Sequence, residues 1–350
     1  GSDEIKKADA EYYVALCALN LNNADGPQLI SEFVKKRPSH PKASKAYYNL
    51  GVNAFKVKDY QTANKYLKLA NLNALNDQER AETYFKIAYS AFSLNRKEES
   101  IEYFDLAKRE NGDFQADANY YSGFLAYADA EYDKAIVDLR KAEESEKHKY
   151  RVPIMITSSY FKQKRYGDVL AYVGKFKNVD EERKRMDYLY QLYQLAGESA
   201  FAEARYDEAL EFYGLYRKLA AQSISNETLY RIAYANFAVG NAEPAIEDFK
   251  RVALKEDTLA QYASYYLGQL YVEQSNYVFA TSAFDKASKL PFNKEIQEES
   301  AFNVAKVNFE SKNYSQAITS LDRFINQYPT SQYIPEANNL LSEAFLNTSD

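Results

Sequence analysis

The chain has 350 residues, 46% hydrophobic and 27% charged, with 44 Lys and Arg against 50 Asp and Glu for a net charge of −6. That is a globular composition, and so mild an acidity offers no positive footprint for a phosphate backbone or an anionic membrane surface, so nucleic acid is excluded as a partner. Cys17 is the only cysteine, which rules out an intrachain disulfide and a thiolate zinc site, and 11 Gly and 8 Pro are few for an all-β or low-complexity chain.

Tyrosine is the anomaly: 33 Tyr and 20 Phe stand beside no Trp at all. The Gly1-Ser2 start looks like a remnant of cloning, so a signal or lipid anchor could have been removed. From there the chain reads as helices. A degenerate helix pair is expected over 8–42, around Val14, Ile30, Phe33 and Pro38. Eight further units follow over 44–329, five of them marked by a small residue, an aromatic nine residues later, an Ala twelve later and a large apolar residue sixteen later. Gly51, Tyr60, Ala63 and Leu67 fit this, as do Gly123, Tyr132, Ala135 and Leu139. Gly197, Tyr206, Ala209 and Tyr213 follow, then Gly268, Tyr277, Ala280 and Phe284, and last Ala305, Tyr314, Ala317 and Leu321. Weaker copies centre on Ala88, Thr157 and Ala233. Residues 331–346 form one unpaired helix, either a cap or the opening of a further repeat, ahead of Asn347-Thr348-Ser349-Asp350.

The small landmark residues recur every 34 to 40 positions. Each unit reads as two amphipathic helices joined by a short polar turn such as Lys58-Asp59 or Glu131. No such pair buries its apolar face alone, so the pairs must stack into an α-solenoid. The charged stretches Asn178–Asp187 and Glu143–Lys149 are expected to be softer joints or solvated helix ends. No uncharged apolar run approaches the roughly 18–20 residues a membrane span needs.

These landmarks resemble the tetratricopeptide repeat over about residues 8 to 346, best at Leu50-Gly51, Ala63, Leu67 and Ala70. The family's Trp slot instead holds Tyr47, Tyr84, Asn119, Pro153, Tyr193, Leu229, Ser264 and Ala301, and its terminal Pro is clear at Pro38 and Pro329 and, one residue early, at Pro291. The resemblance implies an all-α, right-handed superhelix of eight to nine helix pairs plus a C-terminal helix. A second resemblance rests on Phe33-Val34-Lys35-Lys36-Arg37-Pro38 and Phe324-Ile325-Asn326-Gln327-Tyr328-Pro329, each with an Ala eight residues beyond the Pro (Ala46, Ala337). It is to helical-repeat proteins of bacterial envelopes, including outer-membrane assembly lipoproteins. The tyrosine-rich style, as in 261–268, is similar to exported repeat proteins of Bacteroidetes. Together they imply a periplasmic or outer-membrane-associated setting.

In the tetratricopeptide family the first helix of each unit lines a concave groove where partners lie. Offsets −3, +1 and +4 from the landmark share one helix face. They select Tyr48 and Phe55; Phe85, Tyr89 and Phe92; Tyr120, Phe124 and Tyr127; Phe161; Tyr230, Tyr234 and Phe237; Tyr265; and Phe302 as the candidate partner-binding wall. Tyr89, Phe124 and Tyr234 stand out, because the family often places polar residues at +1. Aromatics at −3 and +4 also serve the repeat's own packing. The Lys and Asn clamp of chaperone-binding relatives is missing: its slots hold Tyr48 with Val52, Phe85 with Tyr89 and Tyr120 with Phe124.

Catalytic patterns are thin. Ser159-Tyr160-Phe161-Lys162 and Ser39-His40-Pro41-Lys42 match Ser-x-x-Lys by composition alone. His148 reads as part of a solvated helix end, and His40 as part of an inter-repeat turn. No phosphate-cradling loop or metal-ligand cluster appears, so no cofactor is expected. Asn226-Glu227-Thr228, Asn313-Tyr314-Ser315 and Asn347-Thr348-Ser349 are formal sequons. Mixed-sign runs such as Glu181-Glu182-Arg183-Lys184-Arg185 read as helix–helix turns. The sequence thus points to a non-catalytic scaffold that binds a protein or peptide in an aromatic-lined groove. The alternative is a glycan-binding module that stacks sugars on the same rings, with Gln191, Gln194 and Glu198 contacting hydroxyls.

Overall fold

The computed structural model describes residues 2–178, 188–219 and 224–348. Nineteen α-helices and no strand occur among them, as an all-α helical-repeat solenoid requires. The helices group into two compact units. The first holds α1 (Ser2–Asn20), α2 (Gly26–Lys36), α3 (Ala43–Lys56), α4 (Tyr60–Leu69), α5 (Asp77–Ser93), α6 (Lys97–Ala107), α7 (Gln115–Ala128), α8 (Tyr132–Glu143) and α9 (Val152–Lys162). The second holds α10 (Tyr166–Val173), α11 (Leu189–Ala202), α12 (Tyr206–Leu219), α13 (Asn226–Ala238), α14 (Ala242–Val252), α15 (Thr258–Glu273), α16 (Tyr277–Lys289), α17 (Lys294–Glu310), α18 (Tyr314–Gln327) and α19 (Ile334–Thr348).

The landmark spacing explains how each pair closes. A Cβ on Gly123 would lie 2.7 Å from Cγ of Leu139, sixteen residues on, and one on Gly197 would lie 2.6 Å from the Tyr213 ring. Both partners are fully buried, as are Ala135 and Ala209 at the twelve-residue position. Fully burying one such large side chain contributes about 1.5–3 kcal/mol, so the close approach of the two helices is what stabilises a pair.

The turns share one geometry. The residue seven beyond the landmark is left-handed eight times over: Lys58 (φ 65), Asn95 (φ 57), Ala130 (φ 60), Lys164 (φ 57), Ala204 (φ 56), Gly240 (φ 80), Ser275 (φ 56) and Lys312 (φ 61). The next amide N–H reaches back five residues to a helix carbonyl, as from Glu131 to Ala126 at 2.9 Å and from Asn241 to Asn236 at 2.8 Å. This is the Schellman closure of a helix C-terminus, and only Gly240 supplies the residue that conformation favours.

Within each unit the substantial contacts join helices adjacent in the chain and also successive first helices: α1 with α3, α3 with α5, α5 with α7 and α7 with α9, then α11 with α13, α13 with α15, α15 with α17 and α17 with α19. First helices therefore stand side by side and share a face.

Two expectations shift. Asn22 is left-handed (φ 56), which puts the first landmark on buried Ala15 and not on Val14, whose side chain is exposed. The unpaired C-terminal helix runs Ile334–Thr348, beyond the expected 331–346. The charged stretch from Asn178 to Asp187, with the run at 181–185, lies outside the described residues apart from Asn178, as do Ser349 and Asp350. Among the described residues no helix is long and apolar enough to cross a membrane.

Candidate functional site

Helix α5 starts with a full capping box, in which the Asn76 side chain accepts from the Glu79 N–H and Glu79 accepts from the Asn76 N–H. That start fixes the register that places Phe85, Tyr89 and Phe92 on one face. Tyr89 sits at the centre of a ring cluster, 5.5 Å from Phe55, 5.7 Å from Tyr60, 6.1 Å from Phe85, 6.2 Å from Phe92 and 5.2 Å from Tyr121. Phe92 reaches Phe124, at 6.1 Å, which at 37% is the most exposed member of the expected wall. In the second unit, α13 is capped by Ser225, whose hydroxyl accepts from the Thr228 N–H. Its Tyr230, Tyr234 and Phe237 form a similar cluster with Phe201, Tyr206 and Tyr266.

Burial pushes up the pKa of Tyr60 and Tyr121, and their neighbour Tyr89 adds to both shifts. Tyr266 is pushed up to about 12, first by burial and then by Tyr234. These phenols stay protonated donors at any physiological pH.

Not every expected wall residue is available to a partner. Tyr48 and Phe85 are buried, as are Tyr265 and Phe302. The Tyr48 hydroxyl donates to Glu82 of the next pair at 2.5 Å, and Tyr265 donates to Glu299 at 2.6 Å. Phe85 packs between Phe104 and Phe114, and Phe302 stacks on Tyr333 at 4.8 Å. Phe55, Tyr89, Phe92, Tyr120, Tyr127, Phe161, Tyr230, Tyr234 and Phe237 are half-buried. Tyr127 meets Tyr132 edge to face, and Phe161 lies on α9 in the first unit.

Tyr120 leads to a correction. His148 is not in a solvated helix end: it is 4% exposed and stacks on the Tyr120 ring at 4.3 Å. Its Nε2 lies 2.5 Å from Asp117 Oδ1, and Lys147 Nζ lies 2.6 Å from Oδ2 of the same carboxylate. Burial raises the Asp117 pKa, but the His148 and Lys147 hydrogen bonds outweigh it and hold the carboxyl below its usual range. A second polar staple also went unread. Gln261 is fully buried; its amide donates to the carbonyls of Ala287, Leu290 and Asn293, and its oxygen accepts from the Asn293 N–H at 2.7 Å. Only the pattern of a Gln on the apolar face of α15 could have signalled it. His40 is a turn residue, as expected, with Nδ1 accepting from the Lys42 N–H at 3.2 Å.

Among the described residues no group of three His, Cys, Asp or Glu side chains could hold a metal ion. What the arrangement offers is a set of half-buried aromatic side chains, with Phe124 the exposed one, on a face shared by successive first helices.

Residues 81–114 match the family model of the tetratricopeptide repeat, and residues 257–349 match that of the outer membrane lipoprotein YfiO. No match to a curated protein was found. Similar solved structures include the TPR domain of P58(IPK), at 16% identity over 88% of this chain and 89% of that one, with a TM-score of 0.30. The C-terminal part of a TPR repeat-containing protein from Cytophaga hutchinsonii is 14% identical over 81% of this chain and 97% of that one, with a TM-score of 0.40. A tetratricopeptide repeat protein from Parabacteroides merdae is 15% identical over 85% and 99%, with a TM-score of 0.37.

Proposed function

We propose, on the premise that this chain belongs to the tetratricopeptide-repeat family, whose repeats generally mediate contacts between proteins, that it is a non-catalytic scaffold which binds a protein or peptide along its first helices. The observation that carries this reading is the half-buried ring cluster around Tyr89, with exposed Phe124 beside it and a counterpart around Tyr234. Aromatic edges held in place by their neighbours lose little freedom when a partner arrives, so more of the contact energy appears as affinity. The match of 257–349 to an outer membrane lipoprotein supports a bacterial envelope setting.

The test is affinity capture from an extract of the source cell, with the parent chain beside a variant carrying Tyr89→Ala, Phe124→Ala and Tyr234→Ala that retains parental helicity. Proteins held by the parent and lost from the variant support the reading. If both baits capture the same set, or nothing, the peptide reading falls and a glycan array becomes the next experiment.

A further inference from the structure

The seven rings of the first cluster recur in the second unit 145 or 146 residues later: Phe55, Tyr60, Phe85, Tyr89, Phe92, Phe104 and Tyr121 correspond to Phe201, Tyr206, Tyr230, Tyr234, Phe237, Phe249 and Tyr266. Six of the seven are identical. The geometry recurs as well as the identities. Phe55, Tyr60 and Tyr89 form an edge-to-face triangle with sides of 5.6, 5.5 and 5.7 Å; Phe201, Tyr206 and Tyr234 form one with sides of 5.6, 5.8 and 5.8 Å. Tyr89 meets Tyr121 at 5.2 Å and 83°, and Tyr234 meets Tyr266 at 5.3 Å and 76°. Tyr121 stacks on Phe104 at 5.5 Å, and Tyr266 on Phe249 at 5.6 Å.

The fold does not demand this arrangement. Elsewhere the position of Tyr89 and Tyr234 is filled by Val52, Phe124, Ser158, Glu198, Gln269 or Lys306, of which Phe124 alone is aromatic. Nor are the rings wholly enclosed: Tyr89 and Tyr234 each touch five other rings and pack against the core, yet are only half-buried. Lys86, whose ammonium lies 4.1 Å from the Phe55 ring centroid, and its sequence counterpart Arg231 are both paired within the chain. Lys86 lies 3.4 Å from Glu82, and its counterpart Arg231 lies 3.4 Å from Glu198. Each cluster is apolar apart from its phenol hydroxyls, and the basic side chain at the corresponding position of each is matched by a carboxylate, which suits an uncharged ligand.

We infer that the chain carries two equivalent binding sites, one per unit, each taking an uncharged peptide segment with aromatic or branched aliphatic side chains, so that one chain holds two copies of the same recognition element. This rests on the peptide-binding reading above and adds its stoichiometry and ligand chemistry.

The test uses the whole chain. A phage-displayed library of random seven-residue peptides is selected on the parent and counter-selected on a Tyr89→Leu, Tyr234→Leu double variant. Leucine keeps an apolar filler while removing the ring, and each variant is first matched to the parent in helicity. Enriched peptides are synthesised with a terminal tryptophan, the only indole in the mixture because the chain has none, and titrated by fluorescence. The expected result is an uncharged peptide that binds twice per parent chain with one affinity. It should bind once to either single variant, at unchanged affinity, while the altered site weakens at least about tenfold. Tyr89→Phe and Tyr234→Phe should keep both sites. Single-copy binding lost with only one of the two leucine variants overturns the duplication but leaves peptide binding standing. A charged consensus overturns the ligand chemistry, and a selection that yields no ring-dependent peptide overturns both readings.

Discussion

The shared turn geometry allows a stability change to be worked from a single torsion angle. Ala130 holds φ at 60 on an exposed turn, with no side-chain packing to lose. A left-handed residue with a Cβ costs about 1–2 kcal/mol relative to its right-handed form, and glycine escapes that cost but loses more freedom on folding, by about 0.5–1 kcal/mol. Ala130→Gly should therefore stabilise the first unit by about 1 kcal/mol, and Ala204→Gly the second by a similar amount. Asn95→Gly should give only a few tenths of a kcal/mol, because asparagine tolerates this region. Gly240→Ala, at φ 80, should lose what the alanine replacements gain. With a urea m-value of about 3 kcal/mol/M, the gain appears as a midpoint rise of about 0.3 M at constant slope, read by circular dichroism. Equal gains at Ala130 and Asn95, or a neutral Gly240→Ala, would refute the argument that the Cβ at this torsion sets the cost.

Three other outcomes follow from polar groups. Tyr213 is fully buried with no hydrogen-bond partner for its hydroxyl among the described residues, so Tyr213→Phe should raise stability by about 1 kcal/mol; a lowered melting temperature would contradict this. Gln261→Leu strands the carbonyls of Ala287, Leu290 and Asn293 and should cost about 3 kcal/mol, with faster amide exchange over 287–293. Burial, and then Glu82 or Glu299, raises the pKa of Tyr48 and Tyr265, while Tyr266 rises to about 12. Unfolded tyrosines lose their proton near pH 10, so above that the native state binds more protons. The stability these groups confer is complete below about pH 10 and falls as pH rises, by about 1.4 kcal/mol per unit for each tyrosine. Urea midpoints between pH 9 and 11 should show this slope, and Tyr48→Phe should reduce it by one tyrosine's share.

The helix pairs were legible because close packing leaves a positional record. A glycine with its bulky partner sixteen residues on, as at Gly123 and Leu139, specifies two helices in contact wherever it occurs. The first pair was misread by one residue because its close approach is made by Gly26, whose Cβ would fall 2.7 Å from the backbone of Leu19, outside the usual spacing. The wall residues were harder to sort. The offsets −3 and +4 put a side chain on the right face, but whether it faces outward depends on what the next pair brings up to it. Tyr48 is buried because Glu82 lies across from it, and Phe302 because Tyr333 covers it. His148 was misread for the same reason. Its local sequence, Glu146-Lys147-His148-Lys149, is that of a solvated segment, and only the fold brings Asp117 and Tyr120 against it.

The contact pattern also bears on how the chain is made. Inside each unit a helix leans on the one before it and, for first helices, on the one two places back. The second helix of a pair thus finds its main partner already synthesised when it leaves the ribosome, and a first helix waits only for the helix that follows it. Such short-range topology favours rapid folding and limits the time apolar faces stay bare. Assembly can proceed pair by pair in the order of synthesis, each new pair docking on a surface its predecessor has completed.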